Sequence, residues 1–152
     1  MEVMIISSEH DLARLTGDIN QAQWDESNEM SIYDEESLRT YLEKQDTVFV
    51  ACYDSLAEGR TFMGMASGRI EMKPYAGELW FYVDEVDVCV DQRQKGAGKC
   101  IMKKLIDIAE EQGCEELWLG TEVDNHPANA LYKSLGPDDV GEVVGYTFET
   151  DD

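Results

Sequence analysis

Arg93-Gln94-Lys95-Gly96-Ala97-Gly98-Lys99 stands at the junction of two apolar periods. Before it, Leu79 to Val90 is a run of aromatic and β-branched residues broken by acids, which predicts a strand. After it, from Gly96 to Gln112, the apolar residues recur at helical spacing. Ile101, Leu105 and Ile108 make one stripe, and Met102, Ile106 and Ala109 widen it. Two glycines at the junction let backbone N–H groups turn toward a ligand without Cβ interference. The free N–H groups and the dipole of a helix start favour phosphate. Arginine and lysine flank the turn. Together these features predict a pyrophosphate cradle.

Working outward, Gly113 stands where a helix terminator would. Leu117-Trp118-Leu119 reads as a strand, Pro127 opens a short helix that Gly136 closes, and Val143 to Phe148 alternates as a last strand. Toward the N-terminus, Thr47 to Tyr53 and Thr61 to Ile70 are β-rich runs joined by a hairpin loop from Asp54 to Arg60. Lys73-Pro74-Tyr75-Ala76-Gly77 is a second loop. Val3 to Ile6 is a short strand, and Leu12, Leu15 and Ile19 give His10 to Ile19 a helical face. Asp34 caps another helix, with Glu35 and Glu36 in its first turn and an apolar face of Leu38, Tyr41 and Leu42. The order β-α-α-β-β-β-α-β-α-β predicts one α/β domain over residues 1–152, with helices flanking a central mixed, mostly antiparallel, twisted sheet.

Composition narrows the function. The chain has 152 residues and is 43% hydrophobic, enough for a real core. No 18-residue apolar run predicts a membrane span, and the first residues lack the basic region and cleavage site of a signal peptide. Cys52, Cys89, Cys100 and Cys114 show no CxxC spacing, which argues against a zinc site or a disulfide scaffold. The expectation is a cytoplasmic protein with reduced thiols and no metal. Formal net charge is −21, from 33 acids against 12 bases, which repels phosphates, so nucleic acid is not expected as a partner. Two readings of the acidity stay open: solubility alone, or attraction of a polycationic substrate. The distribution says more than the sum. Five of the 12 bases are Arg93, Lys95, Lys99, Lys103 and Lys104. Just before them lie Glu78, Asp84, Glu85, Asp87 and Asp91. An anion site beside acidic walls suits an anionic co-substrate and a cationic acceptor.

Elimination defines the phosphate ligand further. A Walker loop needs Gly at 93 and Ser or Thr at 100, where Arg93 and Cys100 stand. A dinucleotide fingerprint needs a third glycine where Ile101 stands. What remains is the R/Q-x-x-G-x-G/A loop, and here the sequence resembles the GNAT superfamily of acyl-CoA N-acyltransferases. A second segment strengthens the likeness. Asp124-Asn125-His126-Pro127-Ala128-Asn129-Ala130-Leu131-Tyr132-Lys133-Ser134-Leu135-Gly136 looks like the family's N-x-x-A-x-x-L-Y-x-x-x-G box. It departs at Pro137, where the family usually has phenylalanine.

The resemblance implies acetyl-CoA as co-substrate, with its pyrophosphate on the backbone amides of Arg93, Gln94, Lys95, Gly96, Ala97, Gly98 and Lys99. It places Asn125 and Ala128 along the pantetheine arm and makes Tyr132 the proton donor to the departing thiolate. A phenol suits that role because it is neutral at pH 7 and can donate. A backbone N–H near Val88, Cys89 and Val90 would polarise the thioester carbonyl. Glu85 and Asp87 are the candidate bases, two apart and so on one strand face. A narrower resemblance is to the short aminoglycoside 3-N-acetyltransferases, through Met63-Gly64-Met65-Ala66, Lys73-Pro74, Glu78-Leu79-Trp80-Phe81-Tyr82 and Tyr146-Thr147-Phe148-Glu149. It implies a multiply cationic amine as acceptor, received by Asp25, Glu26, Glu85, Asp87, His126 and Glu149. The alternatives are a polyamine or protein N-acetyltransferase and a non-catalytic acetyl-CoA-binding module. Relatives of this family often dimerise, so a homodimer is a further expectation carried by analogy alone.

Overall fold

The computed structural model describes residues 1–26, 30–55 and 59–151. Residues 56–58 of the hairpin loop expected at 54–60 lie outside the described residues. The chain divides into two compact units, Met1–Leu119 and Gly120–Asp152.

Among the described residues the first unit is a five-stranded sheet with three α-helices. Its elements run β1 (Glu2–Ile5), α1 (Leu12–Gln21), α2 (Glu35–Glu43), β2 (Thr47–Asp54), β3 (Thr61–Met72), β4 (Leu79–Val88), α3 (Ala97–Glu111) and β5 (Glu116–Trp118). Strand order follows the sequence. β1 to β4 pair antiparallel; short hairpin connections join β2 to β3 and β3 to β4, whereas α1 and α2 lie between β1 and β2. β5 runs parallel to β4, which requires the long crossover that α3 supplies.

The central strands are covered on both faces, which is why Val48 to Tyr53 reads as an unbroken apolar run and is buried throughout. On one face Phe49, Ala51, Tyr53 and Met65 pack with Leu12, Leu15 and Ile19 of α1 and Leu38 of α2. α3 packs against β1 to β4 and buries Ile101, Met102, Leu105 and Ile108. β4 is shorter than expected. It stops at Val88, and Val90–Gln92 forms a 3-10 turn whose Val90 N–H donates to the Gln23 carbonyl at 2.8 Å. A bulge interrupts the β3–β4 ladder between Ser67 and Gly68. A Cβ on Gly68 would lie 2.4 Å from the Tyr82 carbonyl oxygen, so only glycine fits there.

The second unit holds α4 (His126–Ser134), with Asn125 as its cap and Pro127 in its first turn. Gly136, at φ 70°, lies just past its end. The strand expected over Val143 to Phe148 is not formed. Residues 137–151 carry no helix or strand, and Val144, Tyr146 and Phe148 are 73%, 80% and 86% exposed. Alternation prepares a segment for a sheet, but a strand exists only where a neighbour accepts its backbone hydrogen bonds. Among the described residues no ladder reaches this segment.

Candidate functional site

α3 begins differently from the other helices. Asp11, Asp34 and Asn125 each accept a backbone N–H at the start of α1, α2 and α4. Gly96, the corresponding residue of α3, offers no side chain, and no acid lies in the first turn. The first intrahelical bond runs from Cys100 N–H to the Gly96 carbonyl at 3.0 Å. The N–H groups of Ala97, Gly98 and Lys99 therefore precede the hydrogen-bonded ladder and are open to an acceptor. Gly96 has φ 88°, and a Cβ there would meet nothing within 4 Å. Its glycine is required by backbone conformation, and the space before it is clear. Gln94 is left-handed too, at φ 63°, a conformation that costs a non-glycine residue roughly 1–2 kcal/mol. The turn thus presents amides outward on a strained backbone, which fits a phosphate-bearing co-substrate.

The side chains of this loop are partly engaged. Lys95 Nζ donates to Gln92 Oε1 at 2.9 Å, and Lys99 is exposed. Arg93 Nη2 donates to Asp25 Oδ2 at 3.1 Å. Asp25, expected on the acceptor side, instead ties the segment after α1 to the glycine loop. The same pair offsets the charge that Arg93 was expected to lend a phosphate. Glu26 is exposed, next to residues 27–29, which lie outside the described residues.

Glu85 and Asp87 sit near the end of β4, paired with Ser67 and Met65. Phe49 pairs with Ser67 and Ala51 with Met65, so the two acids lie on the α1–α2 face of the sheet. Burial is the first cause that raises the Glu85 pKa. The neighbouring Asp87 and Asp84 carboxylates and a hydrogen bond with Asp87 add to it. Part of Glu85 still reaches solvent, so the shift describes a carboxylate with enhanced proton affinity and an open approach.

Two of the three expected carbonyl-polarising amides are engaged within the protein. Cys89 N–H donates to the Met63 carbonyl at 2.9 Å and Val90 N–H to Gln23, so both are committed. Donor direction alternates along an antiparallel strand, so the Val88 N–H points away from β3, toward the β5 side. The β5 ladder covers only Trp80, Phe81 and Tyr82. Val88 thus faces the edge beyond the end of that ladder.

Tyr33 is a member of this cluster that sequence reasoning missed. Its backbone N–H donates to Asn20 Oδ1 at 2.9 Å, and Asn20 Nδ2 donates back to its carbonyl at 2.8 Å. The ring meets Phe49 edge-on, with centroids 6.3 Å apart. Burial first, then the Glu85 and Asp87 charges, push the Tyr33 hydroxyl up to about 12. The available signal was its place just before the Asp34 cap, where an apolar residue staples onto the first turn of the helix.

In the second unit, Asn125 Oδ1 accepts from Ala128 N–H at 3.3 Å, and Asn125 Nδ2 donates to Thr121 Oγ1 at 3.2 Å. Asn129 Nδ2 donates to the Asn125 and Glu122 carbonyls at 2.8 and 3.0 Å. The box is thus a capped helix start, which accounts for its asparagines locally. Tyr132 lies half-buried further along α4, while His126 is exposed at its start. Glu149 is exposed in the segment without regular structure.

A strand thus leads into an uncapped, glycine-started helix. Residues 12–136 match the acetyltransferase (GNAT) family, and the chain belongs to that family, whose co-substrate is acetyl-CoA. Mouse N-acetyltransferase family 8 member 3 is 28% identical over 110 residues, covering 72% of this chain and 46% of that protein. Bovine thialysine N-epsilon-acetyltransferase is 35% identical over 65 residues, covering 43% of this chain and 38% of that protein. The chain therefore spans less than half the length of these curated relatives. The crystal structure of an aminoglycoside acetyltransferase from an uncultured soil metagenomic sample, in complex with sisomicin, superposes with a TM-score of 0.82. That likeness covers 99% of this chain and 96% of the other at 17% identity, and shows a shared fold. Among the described residues no helix is long and apolar enough to cross a membrane.

Proposed function

We propose that this protein transfers acetyl from acetyl-CoA to a primary amine of a polycationic small molecule, first of all the 3-amino group of an aminoglycoside. The observation that carries the proposal is the Glu85–Asp87 pair on β4, one residue short of the outward-facing Val88 amide and followed by the uncapped start of α3. The soil aminoglycoside acetyltransferase that shares the fold supports the acceptor class. The bovine thialysine relative favours a second acceptor, a lysine-like side-chain amine.

The chemistry follows from the needs of the reaction. An ammonium has no lone pair, so Glu85 takes its proton, and the raised affinity of that carboxylate suits the task. The freed nitrogen attacks the thioester carbon. The developing oxyanion accepts the Val88 N–H, an interaction stronger in the transition state than in the ground state. Collapse breaks the C–S bond, the nitrogen gives up a second proton to solvent, and the thiolate takes a proton. Tyr132 is assigned as that donor by its place in the family box. The products are the N-acetyl amine and coenzyme A.

Thiol release with a kanamycin-type sugar, spermidine and a peptide amino terminus tests the proposal. The sugar is expected to turn over fastest. Acetylation of the peptide alone would overturn the small-molecule reading. A strong preference for spermidine would move the assignment to a polyamine acetyltransferase.

A further inference from the structure

Three aromatic rings form a row on β4 and β5. Trp80 and Tyr82 are stacked, with centroids 6.0 Å apart. Trp118 pairs with Tyr82 across the β4–β5 ladder, and its ring lies 6.4 Å from the tyrosine ring. The bulge puts this row on the face that carries Glu85. Tyr82 pairs with Arg69 and Glu85 with Ser67. Ser67 and Arg69 are two apart on β3, so they point the same way.

The row already holds a cation. Lys73, at the β3–β4 turn, places its ammonium 4.3 Å from the Trp80 centroid and 4.8 Å from that of Tyr82, and donates to the Tyr82 hydroxyl. Among the described residues no carboxylate forms an ion pair with it. Arg69 also approaches Tyr82, at 5.8 Å, but Asp84 and Glu71 hold its guanidinium. Lys73 therefore rests on ring faces, where the π quadrupole attracts a cation. Acids rim the row: Glu78 accepts from Trp80 Nε1, and Glu116 stands opposite Trp80 in the ladder. Trp118 is 42% exposed, so the row is open to solvent.

We propose that this row seats a second ammonium group of the acceptor, and that Lys73 occupies the seat until the acceptor displaces it. The proposal deepens, and rests on, the reading of a polycationic amine substrate. Tyr82 and Glu85 pair with Arg69 and Ser67, which are two apart on β3, so the bulged strand sets them roughly 7 Å apart. A polyamine or two linked amino sugars can span that distance with one nitrogen at Glu85 and another on the rings. A monoamine cannot, so the seat selects for multiply charged acceptors.

Calorimetry on the whole chain with spermidine and with butylamine tests this. Trp80→Leu is expected to weaken spermidine about tenfold, within the range for a partly desolvated cation on an indole, and to leave butylamine unchanged. Trp118→Leu, at the exposed end of the row, should do the same. Lys73→Met should tighten spermidine binding severalfold by removing the internal competitor. Unchanged spermidine affinity in both folded tryptophan variants overturns the proposal. So does a parallel loss for butylamine, or weaker spermidine binding in Lys73→Met. Acetyl transfer is read separately, by thiol release. Transfer that ignores both tryptophans keeps the enzyme and removes the seat. Tryptophan-dependent binding without transfer to any amine keeps the seat and removes the catalytic reading.

Discussion

Valine in place of Gly96 tests whether the glycine loop holds a ligand or merely turns the chain. Gly96 has φ 88°. A non-glycine residue there costs roughly 1–2 kcal/mol, and a β-branched one lies at or above the upper end. At about 2–4 °C per kcal/mol for a domain of this size, melting should fall by roughly 4–8 °C. Apart from the flanking residues, no protein atom lies within 4 Å of the new Cβ, so that carbon meets no steric clash. On the proposed cradle, its branched side chain would enter the space through which a phosphate reaches the Ala97, Gly98 and Lys99 amides. Losing one hydrogen bond to a charged group costs about 1.5–3 kcal/mol. Coenzyme A affinity should therefore fall at least tenfold, which corresponds to about 1.4 kcal/mol. Gly77→Val is the control, because Gly77 has φ 64° and an equally empty Cβ position in the β3–β4 turn. It should melt lower and bind coenzyme A normally. Calorimetry on both folded variants gives the answer. Wild-type affinity in Gly96→Val would refute the cradle, and equal losses in both variants would reduce the effect to backbone strain.

The proposed role of Glu85 ties activity to stability. Its folded pKa is raised above 4.5, so its contribution to stability is full below that value and is lost as pH rises through the folded pKa. Glu85→Gln should thus melt higher than wild type at pH 7 and alike at pH 3, while turnover drops roughly 10² to 10⁴-fold; equal melting at pH 7 would remove the burial argument. Tyr132→Phe should cut turnover by roughly 10² to 10⁴-fold with coenzyme A affinity and melting unmoved. Near-normal turnover would show that water protonates the sulfur. The Michaelis constant for the amine should rise with ionic strength, since exposed charge pairs are screened beyond about 8 Å at 0.15 M salt. A flat profile would mean that the acids serve solubility alone.

What the sequence made legible was local or periodic. The Asp34 cap is visible because the residue that bonds it, Ser37, is three positions away. The strand–glycine–helix junction is legible because two apolar periods meet there. Pairings across space were not. Arg93 meets Asp25 from 68 residues away, and nothing in either segment marks the other. Asn20 clamps Tyr33 from 13 residues away, through groups that any exposed asparagine carries. The bulge beside Gly68 was hidden as well. It changes which β4 side chains share a face, and so sets Tyr82 beside Glu85 although they are an odd number of residues apart. The missing strand at 143–148 fails for the opposite reason. Its alternation was clear, but alternation does not supply a neighbour.

The charge pattern now has a physical logic that the net value of −21 conceals. An acidic chain should repel a polyanionic co-substrate, yet fields beyond about 8 Å are screened at physiological salt. What an anion meets at α3 is therefore local: three unbonded amides, the positive end of a 15-residue helix, and Lys95 and Lys99. Asp25 offsets Arg93, so in the proposed cradle these amides rather than side-chain charge would dominate. On the proposed reading, an approaching ammonium would meet the other half of the same motif. Asp84, Glu85 and Asp87 lie on β4, at most 15 residues before Lys99 in the chain. Strand and helix start thus present opposite potentials on either side of one turn. That arrangement suits bringing an anionic donor and a cationic acceptor to the same carbonyl.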